Sequence, residues 1–294
     1  MNITATRFAT KARTWLAIAG LTGLLIAIGA LIGGGALYLF VALAVLMNVA
    51  GYWFSDKLAL KASRAKPVEP GTLPELEAIV QEFAQRAEVP TPRLYLIPSE
   101  QPNAFATGRN PQHAAVAVTQ GLLQQLPPDQ LKGVLAHEFA HIKNRDILVS
   151  SIAAMVAGSI SAIANVLQFS LLFGGDDEDS GPLGLIGTLA TIILAPLAAA
   201  LLQLAVSRQR EYLADATAAE LMGEGRPLGF ALESLERGVQ AVPMAVNPAT
   251  ASLYIANPLS GPGMGMAALF STHPPIAQRI QRLRELDRAR GINW

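Results

Sequence analysis

Cysteine is absent from the 294-residue chain, and charged and aromatic residues are scarce. Without cysteine the chain can form no disulfide, no thiolate metal site and no cysteine nucleophile. A metal would therefore have to be held by histidine and carboxylate side chains, and the sequence contains only 4 histidines. Charged residues make up 15% of the chain and the net charge is zero, so the composition indicates no nucleic-acid partner.

Hydrophobic residues reach 51% of the chain, and the surplus is concentrated in four long runs. These runs cover residues 16–32, 36–54, 147–173 and 183–206. One such run could be a buried core helix, but each is long enough to cross a bilayer and there are four of them. The pattern therefore predicts a multi-pass membrane protein with four transmembrane helices.

Basic residues mark the same end of each pair of runs. They precede the first and third runs and follow the second and fourth: Arg7, Lys11, Arg13, Lys57, Lys61, Arg64, Lys66, Lys143, Arg145, Arg208 and Arg210. The positive-inside rule then predicts two hairpins whose ends lie in the cytoplasm, with the acidic loop 176–179 on the opposite side. The first run is too long for a cleavable signal peptide and a second follows directly, which favours an uncleaved anchor.

Outside the runs, the sequence predicts a mainly helical protein with one small sheet. A Pro- and Gly-rich linker over 62–73 is followed by a helix over 74–87, whose apolar residues share one face. Further helices are predicted from about 127 to 144 and over 207–222, 227–240 and 274–290. Short strands are predicted over 93–97, 102–108 and 114–118, and residues 243–271 are predicted to be a long irregular loop.

The segment His137-Glu138-Phe139-Ala140-His141 is an H-E-x-x-H motif within a predicted helix. Residues four apart lie on one helical face, so both imidazoles can bind one metal ion. Glu138 points to the neighbouring side of that site. Zinc lowers the pKa of a bound water, and a nearby carboxylate can accept the proton as the water attacks a carbonyl. The motif therefore predicts a zinc hydrolase.

A catalytic zinc ion usually has three protein ligands, so a third is expected. Asn144 and Ile147 stand where an extended three-histidine motif would need Gly and His. His113 is more readily a surface residue. Glu211 is the better candidate, because Asp215 lies one helical turn later and could orient a ligand histidine. Spacing alone leaves open that both are ordinary acidic residues near a helix start.

Four segments together with the apolar runs resemble the HtpX family of bacterial membrane-bound zinc metalloproteases. The segments are 102–111 (PNAFATGRNP), 137–141 (HEFAH), 211–215 (EYLAD) and 272–275 (THPP). With the apolar runs, the likeness extends over nearly the whole chain in matching order. The CAAX prenyl endopeptidases are more distantly similar, but they are longer and have more spans. The loop over 243–271 matches no motif of the family.

The resemblance implies that one zinc ion is bound by His137, His141 and Glu211, with Glu138 as the general base. It implies that Asp215 supports a ligand. It also implies a zincin-like domain in the cytoplasm, on a multi-pass protein of the bacterial cytoplasmic (inner) membrane. The substrates would be misfolded or membrane-bound polypeptides, cleaved in stress response and membrane protein quality control.

Two further features follow from the same resemblance. Asn103, Ala104 and Phe105 resemble an edge strand on which an extended substrate could lie by strand addition. His273 resembles a histidine that faces the active site and could stabilise the developing oxyanion. The alternative for His273 is that it caps the last helix ahead of Pro274.

The predicted organisation is a catalytic domain in two parts. Residues 14–54 form the first transmembrane hairpin, 55–73 a linker, 74–146 the first catalytic part, 147–206 the second hairpin and 207–294 the second catalytic part. A metal transporter is disfavoured because the third and fourth runs contain no His, Asp or Glu, the residues that would mark an ion path within the membrane. A silent scaffold that retains the zinc site and a CAAX-type processing protease stay open. The sequence does not give the oligomeric state.

Overall fold

The structure is a computed structural model of the chain. It describes residues 35–154, 208–244, 246, 248–259 and 273–294, and single positions at 19, 22, 23, 26 and 30. Nearly all of the first apolar run, most of the third, the whole of the fourth and the acidic loop therefore lie outside the described residues. So does the part of the predicted irregular loop from 260 to 271.

Helices make up most of the described fold. They are α1 (Ala36–Ala62), α2 (Pro74–Ala87), α3 (Gln120–Gln125), α4 (Pro128–Asn144), α5 (Arg208–Met222), α6 (Arg226–Ala241), α7 (Pro248–Ala251) and α8 (Ile276–Ala289). Helices α2, α4 and α6 carry proline in the first turn, where the missing N–H has no intrahelical partner to lose. Helices α2 and α4 end at a left-handed residue, Glu88 and Arg145 respectively.

The described strands form one mixed sheet. They are β1 (Lys66–Pro67), β2 (Arg93–Ile97), β3 (Ala104–Thr107) and β4 (Ala115–Thr119), in the order β1-β2-β4-β3. Strands β2 and β4 are parallel, whereas β1 pairs antiparallel with β2 and β3 antiparallel with β4. Strand β3 is therefore at the edge of the sheet.

Helix α4 lies at the centre of the helical layer, where it packs against α2, α5, α6 and β3. Successive residues of β4 point to opposite faces of the sheet. Val116 and Val118 join the helical core, while Ala115 and Ala117 face a second cluster that includes the end of α1 and Tyr254. Both faces of the sheet are thus covered, and the H-E-x-x-H segment of α4 is held inside the protein.

The sequence-based elements agree closely with the structure, but helix α3 was not predicted and other differences occur in two ranges. The range 55–73, predicted as a linker, contains the end of α1 and the short strand β1. Helix α7 interrupts the loop that was predicted to be irregular. A two-residue strand shows no periodicity in the sequence, and β1 is defined only by its pairing with β2. The division into domains stays a prediction.

Within the described residues, no helix combines the length and apolarity needed to cross a membrane. Helix α1 nevertheless presents large apolar side chains to the outside. The exposed ones are Tyr38, Val41, Val45, Leu46, Val49, Tyr52, Trp53, Phe54 and Leu58. The transmembrane helices stay a prediction.

Candidate metal centre

The two histidines of the H-E-x-x-H motif and Glu211 converge at the contact between α4 and α5. His137 and His141 lie one turn apart on the same face of α4, and Glu211 comes from the first turn of α5. One potential ligand atom from each residue lies within 4.8 Å of the other two. The structure therefore brings together the three predicted ligands, although α4 and α5 are separated by more than sixty residues of sequence.

The spacing of these atoms fits a small tetrahedral cation. His137 Nε2 lies 3.1 Å from His141 Nε2, and each of these atoms lies 3.6 Å from an oxygen of Glu211. Two ligands of a tetrahedral zinc ion, each about 2.0–2.1 Å from the metal, are about 3.3–3.4 Å apart. Two neutral imidazoles with facing lone pairs repel at 3.1 Å, so this geometry needs a proton or a metal cation between them.

Each histidine has a carboxylate at its outer nitrogen. His137 Nδ1 lies 3.0 Å from Asp215 Oδ1, and His141 Nδ1 lies 3.3 Å from Asp146 Oδ2. A histidine that donates from Nδ1 directs the lone pair of Nε2 at the centre of the cluster, as metal-binding imidazoles require. The geometry matches the contact predicted for Asp215. Asp146 was not predicted, because it lies beyond the end of α4 and outside any spacing rule.

The electrostatics of the cluster also favour a cation. Burial and the Arg279 guanidinium lower the pKa of His137, but hydrogen bonds with Asp215 and Glu211 outweigh them and raise it to about 9. Burial would raise the pKa of Glu211, but His273 and His137 hold it well below its usual range. Glu138, Glu211 and Asp215 are three buried carboxylates beside one buried guanidinium. A divalent cation would balance this excess of negative charge, so the residues present fit a zinc ion.

Glu138 lies beside the ligands, with 1% of its surface exposed. Burial raises the pKa of its carboxyl above the usual value, against the opposing effects of His137 and His141. Its carboxylate accepts a hydrogen bond from the backbone of Ala106, a residue of the edge strand β3. Glu138 is therefore placed between the metal ligands and the edge of the sheet.

His273 reaches the same cluster from the segment that precedes α8. Its Nδ1 lies 2.9 Å from Glu211 Oε2, and its Nε2 is buried without a hydrogen-bond partner among the described residues. It thus contacts a predicted ligand directly, which simple capping of α8 does not explain. His113, by contrast, is exposed and contacts Asn110 Oδ1 at 2.7 Å, away from the cluster.

The three residues predicted to bind substrate are fully buried, and each contacts the chain's own segment 254–256. The Asn103 side chain donates to the Ala256 carbonyl at 2.8 Å and also faces the Ala256 N–H. The Ala104 carbonyl accepts from Ile255 N–H at 3.0 Å. The ring of Phe105 lies edge-on to that of Tyr254, at a centroid distance of 5.0 Å. Their role toward a substrate stays a prediction.

Arg279, on α8, belongs to the site and was missed by the sequence analysis. It is fully buried and donates two hydrogen bonds to Asp215, at 2.9 and 2.7 Å. Helix α8 contains four other arginines within or at its end, at 282, 284, 288 and 290, and no feature of the sequence distinguishes Arg279 from them. Only its position in the folded chain does so.

Comparisons with known proteins agree with this geometry. A sequence model of peptidase family M48 matches residues 70–287. The chain is 52% identical to a protein named "Protease HtpX homolog" from Syntrophobacter fumaroxidans, over 93% of this chain and 98% of that protein. It is 52% identical to one from Persephonella marina (95% and 98%) and 48% identical to one from Pyrococcus furiosus (95% and 97%).

The fold is similar to a solved structure as well. The crystal structure of S. mikatae Ste24p matches with a TM-score of 0.51 and 22% sequence identity, over 96% of this chain and 66% of that one. At this identity the match concerns the fold. The family match covers most of the chain and the named relatives align over nearly all of it, which confirms the resemblance found in the motifs. The chain therefore belongs to peptidase family M48 and is a metallopeptidase of the HtpX type.

Proposed function

We propose that the protein is a zinc-dependent endopeptidase in which Glu138 is the general base and then the general acid of peptide hydrolysis. The observation that supports this most directly is the position of Glu138, buried beside the three-residue cluster and hydrogen-bonded to the edge strand. A zinc ion held by His137, His141 and Glu211 would act as a Lewis acid toward the scissile carbonyl and lower the pKa of the attacking water.

The protein's own groups perform the proton transfers. Glu138 accepts a proton from the attacking water and later delivers it to the leaving amine nitrogen. Burial raises the pKa of Glu138, which increases the affinity of its carboxylate for that proton. His137 and His141 must stay neutral to act as ligands, and Asp215 and Asp146 hold the proton of each ring on the outer nitrogen.

Zinc is the metal that these ligands favour. Two imidazole nitrogens and one carboxylate form a common catalytic zinc set with an open fourth position, whereas magnesium and calcium prefer sites built from oxygen atoms. The tetrahedral spacing of the three ligand atoms supports the same assignment. One zinc ion per chain is expected.

A peptide substrate would lie along the outer edge of β3 at Ala106, beyond the part of the edge at Ala104 that segment 254–256 already occupies. Ala104 directs its carbonyl outward, toward Ile255, and alternation along the strand directs the backbone of Ala106 outward as well. Ala106 also contacts Glu138, so a peptide paired there would pass close to the base. His273 Nε2, buried beside Glu211, would donate a hydrogen bond to the developing oxyanion.

We further propose that the protein acts at the bacterial cytoplasmic membrane. Support comes from the four apolar runs, and from the large apolar side chains that α1 exposes, such as Tyr38 at 78% and Leu46 at 64%. Soluble monomers rarely expose an apolar surface of this extent. Lys143 and Arg145 follow the motif directly and favour an active site on the cytoplasmic side. Membrane-bound and misfolded polypeptides are the expected substrates.

The test is the substitution Glu138→Gln in the purified full-length protein. It should retain wild-type zinc content and lose proteolysis of casein by at least about 100-fold, since proton transfer typically contributes 10²–10⁴-fold. Glu88→Gln makes the same chemical change at an exposed residue and should leave both properties unchanged. A Glu138→Gln variant that still cleaves casein would rule out this mechanism. A wild-type protein that binds zinc and cleaves nothing would favour the silent scaffold.

A further inference from the structure

Arg279 is the largest side chain that the described residues bury completely. Its Nε donates to Asp215 Oδ2 at 2.9 Å and its Nη2 to Asp215 Oδ1 at 2.7 Å. Such a paired contact holds both the distance and the plane of a carboxylate. Asp215 is therefore oriented by α8, although it lies on α5.

This orientation is passed on to a metal ligand. The oxygen that accepts from Arg279 Nη2, Asp215 Oδ1, also lies 3.0 Å from His137 Nδ1. The same Nη2 lies 3.3 and 3.4 Å from the two nitrogens of the His137 ring, so the guanidinium contacts the imidazole directly. Arg279 thus restricts the rotation of His137 in two ways.

The remaining arm of the guanidinium points to the edge strand. Arg279 Nη1 donates to the Ile255 carbonyl at 3.0 Å, and the N–H of Ile255 donates to the Ala104 carbonyl at 3.0 Å. The next residue, Ala256, is paired with the side chain of Asn103. Segment 254–256 therefore lies along the first part of β3, with Asn103 bound to Ala256 and Arg279 bound to Ile255.

We propose that Arg279 is a positioning residue that couples the metal centre to the peptide-binding edge. One guanidinium orients Asp215 against His137 and at the same time holds Ile255 on β3, so that metal affinity and peptide affinity depend on the same side chain. The second part of this inference rests on the proposed peptide substrate. The first part, which concerns metal binding, does not.

A purely electrostatic role would make a different prediction. If Arg279 only neutralised Asp215, any buried cation would serve, and lysine would replace it. The three contacts described above need a planar group with donors in fixed and divergent directions, which arginine has and lysine lacks. The substitution Arg279→Lys therefore separates the two explanations, because it retains the positive charge and removes the planar guanidinium with its several donors.

The experiment uses the full-length protein in detergent, with two measurements. Cobalt(II) affinity and the visible spectrum of the cobalt-loaded protein report on the ligand geometry. The affinity for fluorescein-labelled casein, measured by anisotropy in a Glu138→Gln background, reports on peptide binding without turnover. Arg279→Lys should weaken cobalt binding by about 10- to 100-fold, alter the spectrum and weaken casein binding by about two- to tenfold.

Three further variants complete the design. Asn103→Ala releases Ala256, the residue next to the Arg279 contact, and should weaken casein binding while leaving the cobalt affinity and spectrum unchanged. Asp215→Asn removes the partner of the guanidinium and should affect both measurements. Arg288→Lys makes the same change at an exposed position of α8 and should affect neither.

Arg279→Lys with wild-type cobalt affinity and spectrum would overturn the positioning role. Weakened cobalt binding with wild-type casein binding would overturn the coupling. If Arg279→Lys does not fold, Asp215→Asn tests the coupling instead. It alters the carboxylate that joins Arg279 to His137. A wild type that binds cobalt but no casein would contradict the proposed function while leaving the role of Arg279 at the metal centre to be decided by the cobalt measurements.

Discussion

His137 and His141 differ in how their outer nitrogens are held. Asp215, which supports His137, is itself fixed by Arg279 and is 2% exposed. Asp146, which supports His141, lies just past the left-handed residue that ends α4. His141 is also the more exposed of the two imidazoles, with 17% of its side chain accessible. Its orientation therefore depends strongly on Asp146.

Replacement of Asp146 by Asn should weaken zinc binding by about 10- to 100-fold, because the carboxylate that orients His141 is lost. Competition with a chromophoric chelator measures this affinity. Asp129→Asn is the matched control, since Asp129 is exposed in the first turn of the same helix. Equal zinc affinities for Asp146→Asn and the wild type would show that His141 needs no such support.

At this scale, the sequence groups the residues that helical spacing links, and the structure places the same residues together. His137, His141 and Glu138 share one motif and Asp215 follows Glu211 by one turn, but only the resemblance to the HtpX family joined the second pair to the motif. Asp146 and Arg279 were missed for a physical reason. Their contacts depend on how the chain continues after a helix ends and on how α8 packs against α5, and neither follows from a local repeat.

Among the described secondary-structure elements, α4 and α6 approach each other closely at Gly133. A Cβ atom at Gly133, in the middle of α4, would lie 2.6 Å from the backbone nitrogen of Leu228 and 2.8 Å from its Cα. No side chain can rotate to relieve these contacts, because the neighbouring atoms belong to the backbone. Glycine at 133 therefore allows α4 to pack directly on α6.

Gly133→Ala should destabilise the protein. Alanine favours a helix interior by about 1 kcal/mol over glycine, but overpacking against a backbone costs about 1–3 kcal/mol, so we expect a net loss of up to about 2 kcal/mol. Thermal unfolding followed by circular dichroism would measure it. Gly35→Ala has no atom within 4 Å to displace and should change the unfolding temperature less. A Gly133→Ala variant more stable than the wild type would show that α6 moves away easily.

Most element boundaries could be predicted because their signals are local. Proline in the first turn marks the starts of α2, α4 and α6, and apolar periodicity marks their buried faces. The edge position of β3 could not be derived in this way. It depends on the strand order β1-β2-β4-β3, which is set by pairing between segments far apart in sequence.

At the scale of the whole molecule, the metal centre joins two parts of the chain. Helix α4 ends at Asn144 and α5 begins at Arg208, yet both contribute ligands. Without a metal ion, the buried carboxylates of Glu138, Glu211 and Asp215 are balanced, among the described groups, by the Arg279 guanidinium and by protons on the histidines. Metal binding should therefore stabilise the association of the two parts as well as enable catalysis.

Removal of the metal should lower the unfolding temperature. A ligand present at 1,000 times its dissociation constant stabilises the native state by about 4 kcal/mol, and a chelator removes that contribution. The shift between zinc-loaded and chelator-treated protein should be clear for the wild type and much smaller for Glu211→Gln, which lacks one ligand. An unchanged unfolding temperature after verified loss of zinc would contradict the expectation that the metal stabilises the association of the two parts of the chain.

The predicted topology can be tested because the natural chain has no cysteine. A single cysteine placed at Asp177 should react with an impermeant maleimide in intact bacterial cells, since the acidic loop is expected outside the cytoplasm. A cysteine at Gln124, on the exposed face of the catalytic domain, should react only after lysis. Labelling of position 177 only after lysis would reject the predicted orientation.

The sequence alone determined the chemistry that this protein can carry: no thiolate ligand is available, and two histidines and a glutamate are spaced for one face of a helix. It also determined most helix boundaries, because capping and periodicity act over a few residues. The folded arrangement is what shows which distant groups complete the site. Asp146 and Arg279 reach the ligands through the packing of separate segments, and such contacts depend on the whole fold because burial and hydrogen bonding are satisfied between elements that no local pattern connects.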